Sequence, residues 1–183
     1  MNHDGISQLN AKQLRKADPS VILSEAKNLK RNEIYIVLDN ILDTYNIGSI
    51  FRLADAVAAK KIYICGESEI PPNHRIKKAS INTTEWVEWE YAETAVSAIS
   101  KIKNQISNIQ IVSVEQAAKS IPYDKFEYKL PICLVVGHES DGVSKKVLDI
   151  ADAIVELPMF GINKSLNVMV SLGIVLYEVI ENI

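Results

Sequence analysis

The chain has 183 residues, 48% of them hydrophobic and 23% charged, with a formal net charge of -3. That length suits one well-buried domain rather than two, and the balance is that of an ordinary globular protein. A slightly acidic chain argues against coating nucleic acid by bulk electrostatics, while leaving room for local basic patches.

The opening residues, MNHDGISQLNAK, lack the apolar core of a signal peptide, and no apolar run reaches membrane-spanning length, so a cytoplasmic protein is expected. Cys65 and Cys133 each fall in an apolar, strand-like run, which reads as two buried reduced thiols. His3, His74 and His138 are scattered without ligand spacing, so no metal site is expected.

In chain order, residues 1–31 read as a polar lead and a helical extension, with short helices over Ala11 to Arg15 and Pro19 to Leu29. The basic run Lys27 to Arg31 that ends it is either a solvated face or a phosphate contact. Ile34 to Leu38 is a continuous apolar, β-branched run, hence a buried strand. Asn46 and Gly48 are expected at the turn into a helix whose buried face is Ile47, Ile50, Phe51, Ala54 and Val57, with Arg52 in its first turns. Lys61 to Cys65 is the next strand, completing a β-α-β start.

Gly66 to Glu85 is the least regular segment, and it carries the basic cluster His74, Arg75, Lys77 and Lys78, suited to gripping phosphates from a loop. Trp86 to Tyr91 alternates as a strand does. A helix over Thr94 to Ile106 and a strand over Ile109 to Val114 follow, then a linker from Ala117 to Lys129. Ile132 to Val136 is another buried strand, running into Gly137-His138-Glu139-Ser140-Asp141-Gly142-Val143-Ser144, where two glycines permit a sharp turn. Ser144 is placed to cap a helix over Lys145 to Ile150, and Ala153 to Leu157 is the last strand. Beyond Pro158 the spacing puts a helix N-cap at Ser165 and a helix apolar on almost every side, from Leu166 onward. Such a helix needs cover on more than one face, and a second copy of the chain is a plausible cover.

Small and polar residues thus gather after three strand ends, at Leu38, Val136 and Leu157, where open parallel sheets hold ligands. Neither a G-x-G-x-x-G turn nor a P-loop occurs, which argues against a dinucleotide or nucleoside triphosphate site. The residues alone give an α/β domain with a glycine-lined pocket rimmed by Asn46, Arg52, Glu139, Ser165 and Asn167.

Three segments, NIGSIFRLADA, LVVGHESDGVS and LPMFGINKSLNVMVSLGIVLYE, resemble, in order, the three motifs of the SpoU-type RNA 2′-O-ribose methyltransferases of the SPOUT superfamily, and Val114-Glu115-Gln116 between them fits the pattern. The likeness runs from Ile34 to the C-terminus. It implies a SPOUT domain over residues 32–183: a mostly parallel sheet with helices on both faces and a C-terminal deep trefoil knot, an exception to the rule against threaded loops. It also implies a homodimer formed through the last helix, with S-adenosylmethionine held in the knot mainly by backbone at Val114, Gly137, Leu157, Met159, Ser165 and Leu166.

By the same resemblance Asn46, Arg52, Glu139, Ser165 and Asn167 are the catalytic set, and the substrate is RNA, with tRNA slightly favoured over rRNA. Arg75, Lys77 and Lys78 are candidate RNA contacts. Arg52 is expected to orient substrate and stabilise charge rather than act as a base, because a guanidinium stays protonated. Two positions depart from the family pattern: His138 stands in place of an asparagine, and Met169 in place of a small residue. A catalytically silent RNA-binding or ribosome-assembly protein on the same knot is the rival reading, and a base methyltransferase another.

Overall fold

A computed structural model of the chain describes residues 8–14 and 16–183. His3, and the end of the first expected helix at Arg15, lie outside the described residues. Two short helices lead in, α1 (Ala11–Leu14) and α2 (Pro19–Asn28), and none of residues 20–28 is buried. The first alternating unit is β1 (Asn32–Asp39), α3 (Thr44–Ala56) and β2 (Ala59–Cys65). Then come α4 (His74–Ser80), β3 (Trp89–Ala92), α5 (Ala95–Gln105) and β4 (Gln110–Val114). The chain ends with β5 (Ile121–Pro122), β6 (Ile132–Gly137), α6 (Lys145–Leu148), β7 (Ala153–Glu156) and α7 (Val168–Glu181).

The seven strands form one sheet in the order β3-β2-β1-β6-β4-β7-β5, and every pairing is parallel. β1 and β6 lie side by side in its middle, with Ile34 opposite Ile132 and Leu38 opposite Val136. A strand covered on both faces cannot alternate polar and apolar residues, and residues 34–39 and 132–137 are all buried. Ile34, Ile36 and Leu38 face a core shared with α3, α4 and α7. Tyr35 and Val37 face the opposite core, closed by α5 and α6. The expected sheet with helices on both faces is therefore the observed one.

Several boundaries differ, each for a local reason. Asp43, not the Asn46–Gly48 stretch, ends the first turn: its carboxylate accepts from Tyr45 N at 2.7 Å, so α3 starts at Thr44 and already contains Asn46 and Gly48. Arg52 consequently sits two turns into the helix. The segment 66–85 is more regular than its prolines suggest. Asn73 Oδ1 accepts from Arg75 N and Ile76 N and starts α4, so the basic cluster rides on a helix. Strand β3 begins at Trp89 because a 3-10 turn over Thr83–Glu85 occupies the residues before it. Within the supposed linker, residues 121 and 122 form the edge strand β5. At the C-terminus the cap of α7 is Asn167, whose Oδ1 accepts from Met169 N at 2.9 Å, and Ser165 lies in the preceding loop.

Gly48 sets how closely two of these helices approach. A methyl group there would lie 2.6 Å from Ala79 Cβ and 2.7 Å from the Ile76 carbonyl oxygen, both on α4. We predict that Gly48→Ala forces α4 off α3 and destabilises the fold by about 1–3 kcal/mol, the usual cost of overpacking. Urea unfolding reads the change, and a stability equal to or above that of the parent would contradict this packing.

Candidate active site

The carboxyl ends of β4, β6 and β7 and the loop leading into α7 enclose a cavity of about 440 Å³, lined by residues 114–116, 136–140, 142, 156, 157, 159, 163–168 and 171. It opens at the carboxyl ends of three adjacent strands, the edge at which open parallel sheets hold ligands. All six positions expected to hold a cofactor, Val114, Gly137, Leu157, Met159, Ser165 and Leu166, line it, as do Glu139 and Asn167.

Glu139 organises the rim. Its Oε1 accepts from Asp43 N at 3.0 Å and from Asn46 Nδ2 at 3.0 Å, and its Oε2 accepts from Leu42 N at 3.2 Å. The carboxylate thus sits at the amino end of α3, where the helix dipole favours an anion. Because a carboxylate only accepts, the Asn46 amide must turn its NH₂ toward Glu139, leaving Oδ1 to accept from Asn167 Nδ2 at 3.0 Å. Asn167 Oδ1 is already committed to capping α7. One chain of hydrogen bonds therefore runs from the loop after β6, through α3, to the start of α7. Burial alone would raise the Glu139 carboxyl, but the donors from Asn46 and from backbone N–H groups, including those of Asp43 and Leu42, outweigh it and hold it below the ordinary glutamate range. Such a carboxylate is a weak base and a good anchor.

The structure adds residues that were not singled out as site residues. Glu115 Oε2 accepts from Val143 N at 2.8 Å, and Glu115 Oε1 from Gln116 N at 2.8 Å. Gly142, at φ +70°, lies so flat against the carboxylate that a Cβ would fall 2.1 Å from Oε2. Gln116 Nε2 donates to the Lys164 carbonyl at 2.8 Å, tying down the loop before α7. Asp39 Oδ2 accepts from Ser144 N at 2.8 Å. Their signal in the sequence is a polar side chain directly after an apolar run, at Leu38-Asp39 and Val114-Glu115-Gln116.

Arg52 is not brought to this cavity. It is exposed on the solvent side of α3, on the same face as Tyr45 and Ala56, and makes no ion pair among the described residues. Asp55 and Asp43 are engaged elsewhere, by Trp86 Nε1 and Tyr45 N respectively. Arg75 and Lys78 are exposed on α4, while Lys77 pairs with Glu85 at 3.2 Å across an exposed surface.

A depressed carboxyl contributes stability above its unfolded-state value, and that contribution is lost as pH falls through the folded-state value. Glu139→Gln should therefore cost up to about 1 kcal/mol near pH 7, because the carboxylate is exposed and water screens the loss of a charged acceptor. The gap from the parent should shrink as pH drops below about 4. Paired urea unfolding curves across that range check this, and a gap independent of pH would contradict it.

The model of the SpoU rRNA Methylase family matches residues 33–177. Among curated proteins, the chain is 32% identical over 162 residues to a tRNA (guanosine(18)-2′-O)-methyltransferase of Aquifex aeolicus, covering 85% of this chain and 72% of that one. It is 25% identical over 152 residues to the Escherichia coli K12 enzyme of the same name, covering 81% of this chain and 63% of that protein. Among solved structures, the A. aeolicus TrmH/SpoU tRNA modifying enzyme superposes with a TM-score of 0.77 at 29% identity, over 90% of this chain and 83% of that one. The AdoMet-bound rRNA methyltransferase of Sinorhizobium meliloti gives 0.75 at 27%, over 93% of this chain and 60% of that one. With the family model spanning the whole sheet and the site at its strand ends, the chain belongs to the SpoU rRNA methylase family.

Proposed function

We infer that this protein is an S-adenosylmethionine-dependent RNA methyltransferase acting on a ribose 2′-hydroxyl of tRNA or rRNA. The observation that carries it is the family match over the domain whose cavity suits this methyl donor. The volume lies within the range of about 300–1,000 Å³ typical of small-molecule pockets. Glu115, Glu139 and Glu156 line the cavity against the single cation Lys164, a balance that favours a ligand carrying a sulfonium and an ammonium over one carrying phosphates. Backbone at Val114, Gly137, Leu157, Met159, Ser165 and Leu166 holds the donor. When bound, it supplies a methyl group on positively charged sulfur, already a good electrophile. The protein's own task is then alignment of the hydroxyl with that methyl.

Asn46, Glu139 and Asn167 act as a fixed frame, since their polar atoms are engaged with one another and with helix ends. Ser165, in the loop over the cavity, and Arg52 are the groups proposed to meet the substrate ribose and its phosphate. Arg52 reaches it only with help, because it lies outside its own protomer's cavity, and this supports a homodimer in which two sites share an interface. The exposed side of α7, with Val170 and Tyr177, and the loop residues Phe160 and Ile162, 95% and 105% exposed, form the apolar surface a second copy would cover. Sedimentation of a stable monomer at micromolar concentration would overturn the dimer.

Arg75, Lys77 and Lys78 on α4 are the proposed RNA grip, with Lys77 weakened by its pairing to Glu85. Residues 1–31 form an extension distinct from the domain at 32–183, a division supported by the absence of buried residues in α1 and residues 20–28; limited proteolysis that spares the junction at Arg31 would count against it. The return of α7 across β4 and β6 supports the C-terminal knot, and an experimental chain trace without threading would remove it. The cell compartment follows from the substrate and is proposed as cytoplasmic; fractionation placing the protein elsewhere would refute it.

Isothermal calorimetry should detect S-adenosylmethionine binding, and ribose-methylation mapping in a deletion strain should show the loss of one or a few 2′-O-methyl groups. A strain with an unaltered map would point to the silent RNA-binding reading. Arg52→Ala should leave the cofactor affinity within about twofold and slow single-turnover methyl transfer by roughly a hundredfold or more. Arg52→Lys should recover only part, as an ammonium lacks the bidentate fork. Replacing Arg75, Lys77 and Lys78 together by Ala should weaken RNA binding and lower its salt slope by about two to three. An unchanged slope would return α4 to a solvated surface.

A further inference from the structure

We propose that His138, at the position where the resemblance led to an asparagine, is a positioning residue that acts only as the neutral imidazole. Its protonation releases the loop that carries Glu139. Its Nδ1 accepts from Ser140 N at 3.1 Å and from Asp141 N at 3.2 Å. Those are the two donors that the Oδ1 of an asparagine takes when it closes a turn on itself. The histidine thereby reproduces the turn with a ring nitrogen. The backbone of the same residue pairs with Gly142 in both directions, His138 N donating to Gly142 O at 3.1 Å and Gly142 N donating to His138 O at 2.9 Å. The loop between them holds Glu139, whose carboxylate in turn holds the amino end of α3. His138 itself lines the cavity.

Two N–H groups pointing at Nδ1 require a lone pair there, so the ring carries its proton on Nε2. Protonation places a hydrogen on Nδ1 and converts the acceptor into a third donor facing the other two. Asp141 Oδ2 lies 3.5 Å from Nδ1 and is the ready partner for that hydrogen. An ion pair with Asp141 and the turn geometry are mutually exclusive at that nitrogen, and the backbone contacts are the closer ones. The other charged groups lining the same cavity are Glu139 on the same loop, Glu115 after β4, Glu156 at the end of β7 and Lys164 in the loop before α7. The carboxylates attract a charged imidazole, Lys164 repels it, and none can replace the lost acceptor. An asparagine at this position has no such transition.

The inference rests on reading the cavity as the S-adenosylmethionine site. It is tested on the whole protein by calorimetry with S-adenosylmethionine between about pH 5.5 and 8, beside His138→Asn, so that the ligand's own ionisation cancels between the two chains. The parent should lose on the order of tenfold in affinity on acidification across that range. His138→Asn should vary less than about twofold relative to that trend. Parallel profiles for the two chains would overturn the proposal. Long-range ¹H–¹⁵N correlation spectra of the parent near neutral pH supply a reading that needs neither ligand nor variant: Nε2–H supports the assignment, and Nδ1–H overturns it. If neither chain binds S-adenosylmethionine at any pH, the cofactor reading itself fails, while the tautomer still decides the role of His138.

Discussion

Glu139 receives three hydrogen bonds at the amino end of α3, two from backbone N–H groups and one from Asn46, and the geometry of the whole rim depends on that contact. Hydrogen bonds to an ionised acceptor are stronger than those between neutral groups, and they are directional. They fix the loop after β6 against the helix after β1, two elements almost a hundred residues apart in sequence. The next bond, from Asn167 to Asn46, passes the constraint to the start of α7. The order of the links matters. Because the carboxylate can only accept, each amide along the chain has one permitted orientation, and the register propagates without any further choice.

This frame changes the chemical reading of the motif residues. Side chains whose polar atoms are already engaged are poorly placed to take a proton from a substrate, and a carboxyl held below its ordinary range is a weak base. What the frame does offer is a cavity of fixed shape at the strand ends, with carboxylates at Glu115, Glu139 and Glu156 around it. For a transfer in which the donor is already activated, fixed shape and charge balance are the contributions a protein can most readily make.

Much of this was legible before any coordinates. The apolar runs at 34–38 and 132–136 could only be strands buried on both faces, and glycines and amides after strand ends marked where a ligand would sit. Boundaries were less legible, because they are set by single side chains reaching back to the backbone. Asp43 captures Tyr45 N and starts α3 early, Asn73 starts a helix inside a segment full of prolines, and Asn167 rather than Ser165 caps α7. Any of several neighbouring residues was chemically able to do each of these jobs, so composition cannot choose among them. Glu115 and Gln116 escaped notice as site residues for a related reason. Their partners, Val143 N and the Lys164 carbonyl, are backbone atoms 28 and 48 residues away. Arg52 shows the opposite limit, since a motif reports that a residue type is present and says nothing of the face of the helix on which it lies.

The placement of β1 beside β6 has a consequence for synthesis. A ribosome delivers α3 long before the residues that hold it, and the pair Asn46–Asn167 spans 121 positions. At about 5–20 residues per second, the first half of the rim waits roughly 6–24 s for its last partner. For the larger part of that interval, until Ile132–Gly137 has been made, one long edge of β1, wholly apolar from Ile34 to Leu38, has no neighbouring strand on the β6 side. Open edges of this kind are where nascent chains associate wrongly. The protein thus depends, for some seconds of every synthesis, on whatever shields an unpaired central strand.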